Sequence, residues 1–213
     1  MNELLPSDVP TEPSFLGRLL VVVVVGAVLL TIGIPGKASA YMSGEPFNRC
    51  THTAMSPQGD LYISDGYGNA RVHKFSADGK YLFSWGEPGT GPGQFNLPHA
   101  VWIARDGRLL ICDRENNRVQ VFDQNGKLLK IWPTLLIGPA VVYVDANDIV
   151  YTVEHNSGMV SVLTLEGERL AHWGDASFKS CHGIWGDSHG DLYVVRAGPW
   201  GRRRRIVKHV RMG

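Results

Sequence analysis

The sequence predicts an all-β protein, a β-propeller built from blade repeats. Four segments of the 213-residue chain align with one another, at offsets of about 48, 41 and 42 residues between equivalent positions. Periods of 40 to 50 residues with strand patterning are typical of propeller blades and not of helical solenoids. The chain also contains 25 glycines and 12 prolines, which suit many short strands joined by tight turns.

The second repeat shows the pattern of one blade most clearly. Its apolar run HAVWIA predicts the strand nearest the channel, and a turn at residues 105–107 leads into the strand LLICD. A turn at residues 116–117 leads into the alternating run RVQVF, and Asn-Gly at residues 125–126 precedes the last strand. We therefore expect four antiparallel strands in each blade, with the repeats at residues 47–86, 95–132, 137–174 and 178–213.

Charge and cysteine content exclude several classes of protein. The chain has 21 Lys and Arg against 20 Asp and Glu, so it lacks the basic excess that nucleic-acid binding usually needs. Its three cysteines are widely spaced and form neither a disulfide framework nor a CxxC zinc motif. We expect a small-molecule or peptide substrate as partner and no nucleic acid, and the sequence leaves the oligomeric state open.

Residues 1–40 are predicted to lie outside the propeller, which begins at residue 41. An uncharged apolar run covers residues 19–34, and the small residues Ala38 to Ala40 follow it. This pattern predicts a hydrophobic helix that acts as a cleaved export signal or as an uncleaved single-pass membrane anchor, with a buried core element as the third alternative. Both leading alternatives place the repeats outside the cytoplasm, secreted or anchored in the membrane by residues 19–34.

Two histidines stand where the inner strands of two blades begin. The equivalent residues of the four repeats are Thr51, His99, Ala140 and His182. Because the starts of inner strands line one end of the central channel, we expect the imidazoles of His99 and His182 to converge there as metal ligands. The competing interpretation is that each is a hydrogen-bonded structural residue. For five other histidines we expect solvated positions in turns or outer strands: His73, His155, His172, His189 and His209.

Polar residues also recur where the second strand of each blade ends. The repeated acidic residue there (Asp65, Asp113 and Glu154) is predicted to bond turn amides. Tyr67 and Arg114 lie in the loops that follow. A guanidinium favours the phenolate form of a nearby tyrosine, which is the form that a general base needs. The alternative is that both are surface turn residues.

Three motifs together resemble one family. SDGYGNAR, GQFNLPH and DRENNR, followed by CHGIWGDSHGDLYVV, closely resemble the peptidyl-α-hydroxyglycine α-amidating lyases, which are NHL-repeat propellers. The resemblance covers essentially everything after residue 45. It implies a six-bladed propeller with zinc held by three histidines from alternating blades, and a structural calcium ion is a further candidate cofactor. It also implies the reaction, which splits a peptidyl-α-hydroxyglycine into an amidated peptide and glyoxylate.

The resemblance assigns roles residue by residue. His99 and His182 match two of the zinc ligands, Tyr67 matches the tyrosine that acts as base, and Arg114 matches the active-site arginine beside it. The first two blades of the six-bladed pattern have no counterpart, so we expect the third ligand two blades upstream of His99, before the start of this chain. Cys181 also replaces the proline expected before the last histidine.

Three functions therefore stay open on the sequence. The first is a zinc-dependent lyase whose activity is impaired by truncation. The second is a non-catalytic, extracytoplasmic NHL propeller that binds a peptide, a glycan or a protein. The third is an incomplete copy of a longer protein that neither folds nor works well.

Overall fold

The computed structural model describes residues 30–176, 179–196 and 205–210. The described residues from Gly33 onward form one compact unit that contains all the strands. The four antiparallel sheets follow one another along the chain, so each blade is a single segment of sequence. This arrangement confirms the prediction of an all-β, four-bladed propeller.

The strand bounds are as follows. The first blade contains β1 (His52–Met55), β2 (Leu61–Asp65), β3 (Arg71–Phe75) and β4 (Tyr81–Trp85). The second contains β5 (Pro98–Ile103), β6 (Leu109–Asp113), β7 (Arg118–Phe122) and β8 (Leu128–Ile131), with a 3₁₀ turn at Arg114–Asn116. The third contains β9 (Pro139–Val144), β10 (Val150–Glu154), β11 (Met159–Leu163) and β12 (Arg169–Gly174). The fourth contains β13 (Cys181–Gly186), β14 (Leu192–Arg196) and β15 (Arg205–His209).

The inner strands set the order of the blades. β1 packs beside β5, β5 beside β9, and β9 beside β13. In the part of the chain that the structure describes, the fourth blade has three strands, and residues 41–46 contribute none to it.

The core lies between neighbouring sheets because strand alternation buries one face of each blade against the next. Val119 and Val121 of β7 are fully buried in the cluster shared by the second, third and fourth blades. Phe122, at the end of the same strand, packs instead into the cluster shared with the first blade. Burying each such side chain stabilises the fold by roughly 1.5–3 kcal/mol.

Tryptophans hold consecutive blades together at their outer turns. The Trp85 ring of the first blade lies against Gly126 of the second, where a Cβ atom would come within 3.0 Å of the ring. Trp132 of the second blade covers Gly167 of the third in the same way, and a Cβ atom on Gly167 would lie 2.2 Å from Trp132 Cγ. Both glycines also have positive φ, so any larger residue there would strain the turn and displace the tryptophan.

The recurrent acidic residue ties the start of each blade to its second strand. Asp65 Oδ2 accepts the Asn48 amide at 2.8 Å, and Asp113 Oδ1 accepts the Asn96 amide at 2.7 Å. Glu154 Oε2 accepts the amide of Ile137 at 3.0 Å in the third blade. The predicted structural role of this acidic position is confirmed, with the amides coming from the segment before the inner strand.

The predicted N-terminal helix receives no support from the structure. Residues 19–29 lie outside the described part, and residues 30–34, the predicted end of the helix, are not helical. Gly33 has a φ of 98°, and Pro35 lies two residues later; neither residue continues an α-helix. Among the described residues, no helix is long and apolar enough to cross a membrane.

Candidate functional site

A β-bulge marks the start of the inner strand in three blades. His99 is the extra residue between the Pro98–Asp113 and Ala100–Cys112 pairs, and His182 occupies the same place in the fourth blade. In the third blade the extra residue is Ala140. A bulge bends the strand and redirects the side chain of the inserted residue. The repeat therefore creates one specially directed position per blade, and two blades place a histidine there.

His99 is locked to the neighbouring blade. Its Nδ1 lies 2.6 Å from the carbonyl oxygen of Ala140, which can only accept, so Nδ1 carries the proton and Nε2 presents a lone pair. The residue is 7% exposed. Burial, together with the positive charge of Arg114 and the nearby imidazoles, lowers the pKa of His99 to about 4. His99 is therefore a neutral imidazole near pH 7.

His182 meets His99 from the far side of the third blade. The two ring centroids are 5.4 Å apart, with the planes inclined by 70°. Nδ1 of His182 lies 3.0 Å from the Ser180 carbonyl oxygen, which again leaves Nε2 without the proton. The structure thus brings together the two histidines that the sequence analysis paired, although 83 residues separate them.

Tyr67 reaches the same place from the first blade. Its hydroxyl oxygen lies 3.2 Å from His99 Nε2, and since that nitrogen is unprotonated, the hydroxyl donates. The side chain stands between two glycines that have no room for a Cβ atom. A Cβ on Gly66 would lie 2.4 Å from the Pro98 carbonyl oxygen, and one on Gly68 would lie 1.9 Å from Asn48 Oδ1. Close packing of the loop therefore leaves Tyr67 as its projecting side chain, 40% exposed.

Arg114 completes the group of four predicted residues. It opens the 3₁₀ turn after β6, and its amide donates to the Leu97 carbonyl at 3.1 Å. Its Nη1 donates to the Tyr67 hydroxyl at 3.4 Å, and its Cζ lies 5.6 Å from the centre of the Tyr67 ring. Glu115 holds the guanidinium through Nε at 2.9 Å. The arginine is largely buried, so it is a fixed positive charge beside the phenol.

His155 is the residue that sequence reasoning missed. It was expected to be solvated, but it is half-buried, and its ring centroid lies 4.6 Å from that of His182. Burial lowers the pKa of His155, and the charges of His182 and Arg114 act in the same direction. A usable signal was present, because His155 directly follows Glu154 as Arg114 directly follows Asp113.

A second expectation of solvation was also wrong. His73 is fully buried, and its Nε2 contacts Asp65 Oδ2 at 3.3 Å. It sits at the third position of β3 and serves the buried acidic residue, as Gln120 of β7 serves Asp113 at 3.1 Å. His73 therefore belongs to the scaffold and takes no part in the candidate site.

The donor chemistry of the site suits zinc. Neutral imidazoles that donate Nδ1–H to a carbonyl and present Nε2 are typical zinc ligands, and the carbonyl fixes the tautomer. His99 and His182 both have this arrangement. Within residues 30–176, 179–196 and 205–210, however, no three His, Cys, Asp or Glu side chains are arranged as a ready metal site. Zinc would therefore be held by His99 and His182 together with a further donor that must move into place.

Comparison with known proteins identifies the repeat. Residues 95–122 match the NHL repeat family. Over 110 residues, the chain is 39% identical to human NHL repeat-containing protein 3, a match that covers 50% of this chain and 32% of that protein. Over 202 residues, it is 31% identical to peptidyl-alpha-hydroxyglycine alpha-amidating lyase 2 of Drosophila melanogaster, which covers 85% of this chain and 47% of the lyase.

These matches define the class of protein. The chain carries an NHL repeat and is homologous both to the amidating lyases and to NHL repeat-containing protein 3. It spans less than half the length of either relative. Among solved structures, the Kuenenia stuttgartiensis hydrazine synthase superimposes with a TM-score of 0.63 at 16% identity, over 83% of this chain and 49% of that one. That structural likeness supports the propeller fold alone.

Proposed function

We propose that this protein is a zinc-dependent lyase that cleaves the C–N bond of a peptidyl-α-hydroxyglycine or a closely related hemiaminal. The observation that carries the proposal is the position of the Tyr67 hydroxyl, 3.2 Å from His99 Nε2 and 3.4 Å from Arg114 Nη1. A phenol, a fixed guanidinium and neutral imidazoles thus meet at one end of the channel. The homology to the amidating lyases supports this assignment of chemistry to the site.

The proposed roles follow from the chemistry of each side chain. Zinc bound at His99 Nε2 would replace the Tyr67 hydrogen bond to that atom, and it would supply Lewis-acid polarisation that makes the substrate hydroxyl more acidic. Tyr67, as the phenolate, takes the hydroxyl proton on its Oη atom. The guanidinium of Arg114 stabilises the negative charge of that phenolate before the transfer.

Tyr67 both accepts and returns the proton, so the reaction has no net proton change. As the hydroxyl loses its proton, its oxygen forms the carbonyl of glyoxylate, and the C–N bond breaks with its electron pair on the amide nitrogen. Tyr67 then returns the proton to that nitrogen, which gives the amidated peptide. No oxidant or reductant is needed. The 40% exposure of Tyr67 leaves its hydroxyl accessible to a substrate that enters from solvent.

Glyoxylate release tests the proposal directly. The full chain is loaded with zinc, its metal content is measured, and α-hydroxyhippurate is supplied as substrate. We expect glyoxylate in proportion to bound zinc, and its loss when the metal is removed by a chelator. Fully loaded protein that releases no glyoxylate would contradict the lyase assignment.

A non-catalytic propeller that binds a peptide, a glycan or a protein is the second candidate. The match to human NHL repeat-containing protein 3 supports it, because that relative is named for its repeat alone. This candidate predicts purified protein without zinc and no loss of partner binding in the His99→Ala variant. Metal analysis of the purified chain separates the two candidates.

Export from the cytoplasm is part of the same proposal. The apolar run of residues 19–34 supports an export signal or a membrane anchor. N-terminal sequencing of protein recovered from cells distinguishes them, since cleavage after Ala40 indicates a signal. Recovery in the cytoplasmic fraction with an intact N-terminus would overturn both.

A further inference from the structure

We propose that His155 is the third imidazole ligand of the zinc site, so that His99, His155 and His182 form a ligand set supplied by this chain alone. The inference rests on the proposed zinc function and names the donor that this function lacks. It replaces the sequence-based expectation of a third ligand two blades upstream of His99.

The position of His155 is the first argument. The third blade lies between the two blades that carry the predicted ligands, and its inner strand offers only the methyl group of Ala140 at the bulge. The same blade instead brings an imidazole to the channel from the hairpin after β10. The amide of His155 donates to the Gly138 carbonyl at 2.7 Å, and its carbonyl accepts the Ser180 amide at 2.9 Å. Both backbone bonds fix the hairpin tip beside the start of the fourth blade.

The orientation of the three rings is the second argument. His155 Nδ1 lies 3.3 Å from the Cys181 carbonyl oxygen, so its Nε2 is the nitrogen left to bind a metal. The Nδ1 atoms of His99 and His182 have the same kind of partner, at 2.6 and 3.0 Å. His52 Nδ1 also contacts a carbonyl oxygen, that of Val101, so this hydrogen bond alone does not indicate a metal ligand. It supports a metal site only where the imidazole rings also lie close together.

The clustering of the rings is the third argument. The His155 and His182 centroids are 4.6 Å apart, and those of His99 and His182 are 5.4 Å apart. Zinc–nitrogen bonds of about 2.0–2.1 Å place the ligand nitrogens of a tetrahedral site about 3.3 Å apart. Because the described side chains form no ready metal site, zinc binding requires these rings to rotate into that spacing. The Nδ1 anchor of His155 is the longest of the three, so this ring turns at the lowest cost.

Metal binding by matched variants tests the inference without reference to activity. Zinc affinity is measured by competition with a chromophoric chelator for the full chain and for His99→Ala, His155→Ala and His182→Ala. His189→Ala is the control, because the His189 side chain is 83% exposed in a turn of the fourth blade. We expect each of the three site variants to bind zinc more than about 100-fold more weakly, since the loss of a second-shell partner alone costs 10–100-fold. The His189→Ala variant should bind as the parent chain does.

A cysteine at the same position gives a direct spectroscopic signature. In the His155→Cys variant, cobalt(II) used in place of zinc should produce a thiolate-to-metal charge-transfer band that the parent chain does not show. This readout requires the side chain at position 155 to touch the metal, and a merely structural role would not produce it. It also keeps the test decisive if His155→Ala folds poorly.

The outcomes separate this inference from the proposed function. If the parent chain binds zinc and only His99→Ala and His182→Ala weaken it, His155 is not a ligand and the zinc proposal stands. If the parent chain binds no zinc, both proposals are overturned. Weakened binding by His155→Ala together with the cobalt band for His155→Cys would establish the three-histidine set.

Discussion

Two neighbouring positions at the end of the second strand differ in sequence variation between blades. The first carries an acidic residue in three blades, Asp65, Asp113 and Glu154, and is completely buried in all of them. The next residue differs among these three blades, as Gly66, Arg114 and His155. The acidic residue recurs at the buried position because, in each of these blades, it accepts a hydrogen bond from a backbone amide that precedes the inner strand. The adjacent position supplies Arg114 and His155 to the candidate site.

This difference indicates how a repeat protein can hold a site. Among the histidines, His73 has its partner Asp65 in its own blade and stays inside the sheet. His99 and His155 lie at the channel and have backbone partners in the third and the fourth blade. Substitutions at the first kind of position should change stability, and those at the second should change activity.

The largest expected effect is at the buried acidic position. Asp113→Ala should lower the free energy of unfolding by about 3–5 kcal/mol, because it removes the partner of a buried ion pair. Asp113 Oδ2 contacts Arg118 Nε at 2.8 Å, and Oδ1 holds the amide of Asn96. Urea denaturation measures the change, with Glu115→Ala on the same hairpin as the exposed control. A loss below about 1 kcal/mol would mean that the acidic repeat does not hold the blade.

Removal of the phenolic hydroxyl should show the opposite behaviour. Tyr67→Phe should reduce glyoxylate release at least about 10²-fold, the lower end of what a positioned acid or base contributes. Its stability should stay within about 0.5 kcal/mol of the parent chain, as for other exposed positions. Steady-state kinetics and thermal unfolding on the same preparation check both parts. Full activity in this variant would remove Tyr67 from the mechanism.

The arginine should have an intermediate effect. Arg114→Lys keeps the positive charge but loses the planar fork that contacts both Tyr67 and Glu115. We expect activity to fall about 10–100-fold, as for the loss of a hydrogen bond to a charged group. Zinc content should not change, because Arg114 is not a donor to the metal. A fall in zinc content would show that the arginine positions the histidines.

The smallest effect on activity and stability is expected at Glu115, the residue after Arg114. Glu115→Gln removes the charge paired with Arg114, but the Glu115 side chain is 38% exposed and solvent screens the pair. Both activity and stability should therefore change by less than about 1 kcal/mol, or about fivefold in rate. Kinetics at low and high salt are the measurement. A larger loss would indicate that Glu115 contributes to the orientation of Arg114 over Tyr67.

The repeat pattern was enough to predict the blades and their strands. In the second blade, LLICD and RVQVF form β6 and β7 with the predicted ends, and the turn at residues 105–107 contains Gly107 at a φ of 86°. The bulges were not predictable, because they arise where the inner strand bends against its neighbour. Strand alternation assigns successive residues to opposite faces, but the inserted residue of a bulge interrupts this alternation. Alternation alone therefore did not predict the direction of the His99 side chain.

The sequence by itself determined the all-β class and the four blades, because period and turn residues are local properties of the chain. Matching register paired His99 with His182, and the family resemblance added Tyr67 and Arg114. Only the tertiary structure decided which side chains meet. It brought His155 to His182 and buried His73 against Asp65, and the sequence had assigned both histidines to solvent. The physical reason is that the next blade completes the surroundings of each hairpin tip, and contacts between blades are not encoded in the periodicity of either one.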